Sequence, residues 1–133
     1  MRSSLDADAP YWAALEAGRV ELPRCAQCGV WQWPAVSRCG ECGSWNSVWS
    51  RIDLLGAVYS WERTHHEFPG TEHFAKPYIS VLVEIPSAGG TRLMGMYEAG
   101  HAAPSIGMRV RGRVSSVRYL DRTIPSIAWG PAE

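Results

Sequence analysis

Residues 25 to 43 read CAQCGVWQWPAVSRCGECG, so two Cys-x-x-Cys pairs, Cys25/Cys28 and Cys39/Cys42, stand ten residues apart and hold all four cysteines of the chain. A zinc ribbon is built from two such knuckles, each giving two thiolates from a tight turn, so that four sulfurs converge tetrahedrally on one ion. Gly29 and Gly43, one residue past each pair, permit the backbone geometry of that turn. Structural Zn²⁺, a rubredoxin-type iron and a redox dithiol all use cysteine pairs, and the doubled spacing favours structural zinc. A four-thiolate site leaves no position for water or substrate, so this centre is expected to hold the chain together rather than react. Arg24 and Arg38, each directly ahead of a pair, would offset the negative charge of the metal–thiolate group.

The metal reading depends on compartment, because oxidising surroundings would favour disulfides. The start, MRSSLDADAP, has no apolar segment of the signal-peptide kind, and the apolar runs fall short of the roughly 20 residues a spanning helix needs. The expected location is the cytoplasm, with no membrane partner. Basic and acidic residues balance at 13 each, and Lys76 is the only lysine. A polynucleotide footprint is therefore not expected, although Arg109 to Arg122 is locally basic.

Around the ribbon the hydrophobic period changes. Asp8 is expected to cap a helix with Pro10 in its first turn; Tyr11, Trp12 and Leu15 recur at helical spacing, and Gly18 stops it. Its apolar face is expected to pack within the molecule. From Leu54 onward the period is two. In PYISVLVEIP, Ile79, Val81, Val83 and Ile85 point one way and Ser80, Leu82 and Glu84 the other. LLGAVYSWERTH, TRLMGMYEA, GMRVRGRVSSVRYL and TIPSIAWGP also read as strands, with SAGG a hairpin turn. Five short strands behind a helix suggest a closed barrel such as an OB-fold. The expected organisation is mainly β: an N-terminal helical segment over residues 1–22, a zinc ribbon over 23–50 and a five-stranded OB-fold barrel over 51–133. No internal repeat is expected.

The strings YWAALEAGRVELPRCAQCGVWQWPAVSRCGECGS, GAVYSWERTHH, KPYISVLVEI and RLMGMYEAG, in that order, resemble the acyl-CoA-associated OB-fold family, formerly a domain of unknown function, in which a helix and a rubredoxin-like zinc ribbon precede an OB-fold. The resemblance implies a non-catalytic accessory subunit that binds and supports a thiolase-superfamily enzyme acting on a coenzyme A thioester. It also implies a hetero-oligomer, two-to-two around a dimeric enzyme, and among its partners a retro-aldolase of steroid side-chain degradation.

The remaining residues agree with placing the chemistry on a partner. All cysteines are committed to metal, and no GxSxG nucleophile motif is present. His65 and His66, followed by Glu67, are the best acid–base candidates, but they read first as solvated or hydrogen-bonded loop residues and next as partner or ligand contacts. Tyr59 and Trp61, two apart, are expected on one strand face, as core, as an interface or as a base-stacking surface. Phe74, in the long loop HHEFPGTEHFAKPY, folds back on the core or meets a partner. Arg109, Arg111 and Arg113 share a strand face, solvated or facing coenzyme A phosphates or an acidic partner. The rival from another class is a zinc-ribbon OB protein that binds single-stranded nucleic acid.

Overall fold

The computed structural model describes residues 7–132, so most of the leading MRSSLDADAP stretch lies outside the described residues. The first element, α1 (Ala9–Glu16), is a short helix rich in alanine, with Pro10 where a missing N–H costs nothing. It closes in a Schellman arrangement: Arg19 N donates to Ala14 O and Gly18 N to Leu15 O, both at 3.0 Å, and Gly18 takes a φ of +87°. Asp8 departs from its expected role. It occupies the N-cap position without a side-chain bond to the backbone, and its carboxylate instead accepts the indole N–H of Trp12 at 3.0 Å. The apolar face packs inward, as expected: Tyr11, Ala14 and Leu15 are buried, and Tyr11 stacks on Trp33 at 4.4 Å between ring centroids.

Two strands that the sequence did not announce, β1 (Glu21–Cys25) and β2 (Ser47–Arg51), pair antiparallel from Glu21 opposite Arg51 to Cys25 opposite Ser47. They bracket both cysteine knuckles and carry the chain from α1 to the barrel. Leu22 is fully buried and Trp49 packs on the same core, so the ribbon and barrel share apolar contacts.

The barrel is the expected five-stranded one. Its strands are β3 (Leu55–Thr64), β4 (Tyr78–Ile85), β5 (Thr91–Tyr97), β6 (Arg109–Tyr119) and β7 (Arg122–Pro131). They close in the order β3-β4-β5-β7-β6, with β5 and β7 the one parallel pair among them, an arrangement consistent with an OB-like fold. Val81, Val83 and Ile85 of β4 are buried, as their period of two requires. A short 3₁₀ turn, Pro86–Ala88, and two left-handed glycines, Gly89 and Gly90, make the β4–β5 connection.

The centre of the barrel is filled by Trp129, which is wholly inaccessible. Its room comes from two residues with no side chain. A Cβ at Gly112, its cross-strand partner, would lie 2.9 Å from the ring, and one at Gly95 would lie 2.7 Å from it. The β3–β4 register shifts between Val58 and Ser60. That bulge separates two aromatic residues expected to share a face: Trp61 pairs with buried Val81 and packs on the core, whereas Tyr59 is exposed beneath the guanidinium of Arg92, 3.6 Å away.

Candidate functional site

The two knuckles are near-copies, contrary to the expectation of no repeat. RCAQCGVW (24–31) and RCGECGSW (38–45) both read Arg-Cys-x-x-Cys-Gly-x-Trp. Each turn is closed by the same bonds. Gly29 N donates to Cys25 O and Gly43 N to Cys39 O, both at 3.0 Å; Cys25 N donates to Val30 O and Cys39 N to Ser44 O, both at 2.8 Å. Both glycines are left-handed, at φ +79° and +78°. The arginines have a structural use beyond charge. Arg24 Nε donates to Gly29 O and lies 5.3 Å from the centre of the Trp31 ring; Arg38 Nε donates to Gly43 O and lies 5.4 Å from that of Trp45.

The turns bring all four Sγ atoms within 4.8 Å of one another. Four sulfurs about 2.3 Å from a tetrahedral ion lie about 3.8 Å apart; the cross-knuckle pairs Cys25–Cys42 and Cys28–Cys39 stand at 3.5 and 3.7 Å. Backbone amides already point at the sulfurs, Cys28 N at Cys25 Sγ (3.5 Å) and Glu41 N at Cys39 Sγ (3.4 Å). The Cys28 amide is the largest influence drawing the Cys25 thiol down to about 6, and those of Cys42 and Glu41 lower Cys39. For Cys28 the Val30 amide favours the thiolate, but burial and three neighbouring sulfurs outweigh it and push the thiol up to about 12. Four thiolates this close need a cation between them, and the donor set fits a structural metal ion. When bound, that ion supplies a cross-link between the knuckles.

The other expected site residues scatter. His65 and His66 are exposed in the loop after β3, His66 lying edge-on to Phe68 at 4.6 Å. Glu67 pairs with Lys76 at 3.3 Å. Arg109 and Arg111 are exposed on β6, opposite Ala57 and Leu55 of β3. Phe74 and Arg113, in contrast, meet in a cleft of about 760 Å³ between the 73–79 segment and the β6–β7 hairpin. Phe74 lies edge-on to Tyr78 at 5.3 Å, and Arg113 Nε donates to Glu98 at 2.9 Å. The loop is strapped across the barrel end: Leu120 N reaches Gly70 O at 3.4 Å, and a Cβ on Gly70 would meet the Tyr119 ring at 2.3 Å.

Sequence reasoning missed most of this cleft. Arg63, Tyr97, Glu98, His101 and Arg118 also line it, from three separate stretches of chain. No short-range pattern links them, and only the barrel closure brings them together. Among the described residues no helix is long and apolar enough to cross a membrane.

Fold and metal centre together define a ribbon-plus-barrel protein: a rubredoxin-like zinc ribbon joined to an OB-like barrel. Residues 12–46 match the ChsH2 rubredoxin-like zinc ribbon domain. The chain is also similar, over 99% of its length and 100% of the other chain, to a solved "Ltp2-ChsH2(DUF35) aldolase" chain, with 29% identity and a TM-score of 0.77. A DUF35-family protein of unknown function from Sulfolobus solfataricus has the same fold, at 16% identity and a TM-score of 0.58 over 96% of this chain and 87% of that one. No curated protein matches. The zinc-ribbon match and the likeness to these two DUF35 chains agree with the resemblance read from the sequence.

Proposed function

We propose that this chain is a non-catalytic accessory subunit that binds a thiolase-superfamily enzyme acting on a coenzyme A thioester. A retro-aldolase of steroid side-chain degradation is the specific partner we favour, in a two-to-two assembly. The single observation that carries the reading is the end-to-end likeness to the chain of the Ltp2-ChsH2(DUF35) aldolase. Zn²⁺ is the ion assigned to the four cysteines, in a closed structural role.

The distribution of apolar surface supports this. Trp45 and Val48 of the ribbon are 69% and 51% exposed, although Trp is costly to leave in water and is enriched at protein contacts. On the barrel, Met94 and Ile106 are 66% and 74% exposed. An accessory subunit accelerates a reaction only by favouring the partner's competent fold or its transition state, so its effect belongs to the complex.

The test is native mass spectrometry of the tagged chain purified from its own cells, followed by an aldolase assay on the co-purified enzyme with and without this chain. A stable complex with a thiolase-like protein, carrying one zinc per copy of this chain and losing aldol cleavage when it is withheld, is the expected result. A zinc-loaded chain that carries single-stranded nucleic acid and no such enzyme overturns it.

A further inference from the structure

The cleft beside the β6–β7 hairpin is used neither by the metal centre nor by the exposed apolar residues on the ribbon. Its volume of about 760 Å³ is that of a site for a small organic molecule. Its charge is one-sided: the guanidinium groups of Arg63, Arg113 and Arg118 line it against one carboxylate, that of Glu98. Glu98 is shared between Arg113, at 2.9 Å, and His101 Nε2, at 3.7 Å, so one acid neutralises only part of this charge. A concave wall with such an excess concentrates anions.

A second, independent feature points the same way. Tyr97 lines the cleft and is 7% exposed, and its hydroxyl, fully shielded from solvent, has no hydrogen-bond partner among the described residues. A buried hydroxyl left unpaired is costly and is normally satisfied by some group. A ligand that displaces the wall covering this hydroxyl would offer it the acceptor it lacks. The wall also carries Phe74, Tyr78, Ile79 and Met96, beside the polar His73, Ser115, Ser116 and Ser126, and the space exceeds what a bare inorganic ion fills.

We infer that this cleft binds a small organic anion, a carboxylate or phosphate head on an apolar body. The head sits among Arg63, Arg113 and Arg118, accepts the Tyr97 hydroxyl proton in a hydrogen bond and competes with Glu98 for Arg113. The body lies along Phe74 and Tyr78. The site is complete within this one chain, so it stands or falls separately from the partner assignment.

The full metal-loaded chain, labelled with ¹⁵N, is titrated with decanoate and with phenyl phosphate. Saturable shifts are expected with at least one probe at or below about 10 mM, in amides of residues 73–79, 97–101 and 113–118. Decanoate alone marks a carboxylate ligand, and phenyl phosphate alone marks a phosphate. Tyr97→Phe, which removes only the hydroxyl, should weaken binding about 5- to 10-fold, and Arg118→Met about 10-fold or more. A purely structural hydroxyl predicts unchanged affinity in Tyr97→Phe. No saturable shift with either probe, or unaltered affinity in both variants, overturns the assignment.

Discussion

Gly112→Ala tests whether the barrel depends on an absent side chain. The added methyl would stand 2.9 Å from Cε3 and Cζ3 of Trp129 and 3.0 Å from Cβ of Leu54, where comfortable carbon contacts begin near about 3.5 Å. Trp129 is wholly buried and has no free side on which to retreat. Overpacking of this kind costs about 1–3 kcal/mol, and the stiffer unfolded chain of an alanine variant returns about 0.4–1 kcal/mol. A net destabilisation of about 1–2 kcal/mol is expected. Trp129→Phe removes ring atoms from the crowded region and alone costs about 1–3 kcal/mol by leaving a cavity. The double variant should therefore be more stable than the sum of the two losses by about 1 kcal/mol or more. The assay is urea unfolding followed by far-UV circular dichroism, with metal saturating, because metal loss adds its own transition. Gly40→Ala is the control: no atom lies within 4 Å of its added Cβ, and it should stay within about 0.5 kcal/mol of the parent. An unaltered midpoint for Gly112→Ala, or strict additivity with Trp129→Phe, refutes the reasoning.

Chelation should collapse the amide dispersion of residues 24–50, since zinc binding worth about 10–16 kcal/mol in finger peptides rivals the stability of a whole domain; an unchanged ribbon spectrum after complete metal removal contradicts this. Trp45→Ala should leave the urea midpoint nearly unmoved while weakening the partner complex by about 10-fold or more, read by calorimetry on the purified enzyme pair. Gly70→Ala meets both the Tyr119 ring and a φ of +97°, so hydrogen exchange across residues 65–77 should quicken at a stability cost of about 1–3 kcal/mol. Glu72 accepts the Gly70 N–H at 3.0 Å, which is the main reason its carboxyl is held below the usual 4.5. A depressed carboxyl stabilises the fold above its unfolded value, and that contribution is lost as pH falls through the folded value. The Gly70 amide should accordingly titrate with a midpoint below 4.5 in NMR, and Glu72→Gln should abolish the step.

The parts legible in the sequence were those written in short-range pattern. Cys-x-x-Cys spacing and the glycines after it announced the metal centre, and the alternation in PYISVLVEI announced a half-buried strand. The strands β1 and β2 were not legible, because ELPRC contains a proline and SVWSR shows no clean alternation; they exist through pairing across the knuckles. Tyr59 and Trp61 misled because a bulge inserts between them a change of face that a period of two does not encode. Asp8 kept its place at the helix start but spends its carboxylate on Trp12. The doubled Arg-Cys-x-x-Cys-Gly-x-Trp string was available to direct comparison of residues 24–31 with 38–45. The cleft was not, since Tyr97, Arg113 and Arg63 become neighbours only when the five strands close.

The two knuckles share bonds, torsions and an arginine-backed tryptophan, yet their tryptophans meet different surroundings. Trp31 packs on the core, close enough that a methyl on Gly89 would stand 2.7 Å from its ring, while Trp45 faces outward. The ribbon thus works as a rivet, one head sunk into the barrel and the other left proud. A designer can recut the outer head, changing Trp45 and its flanks to suit a different enzyme, without disturbing the inner one.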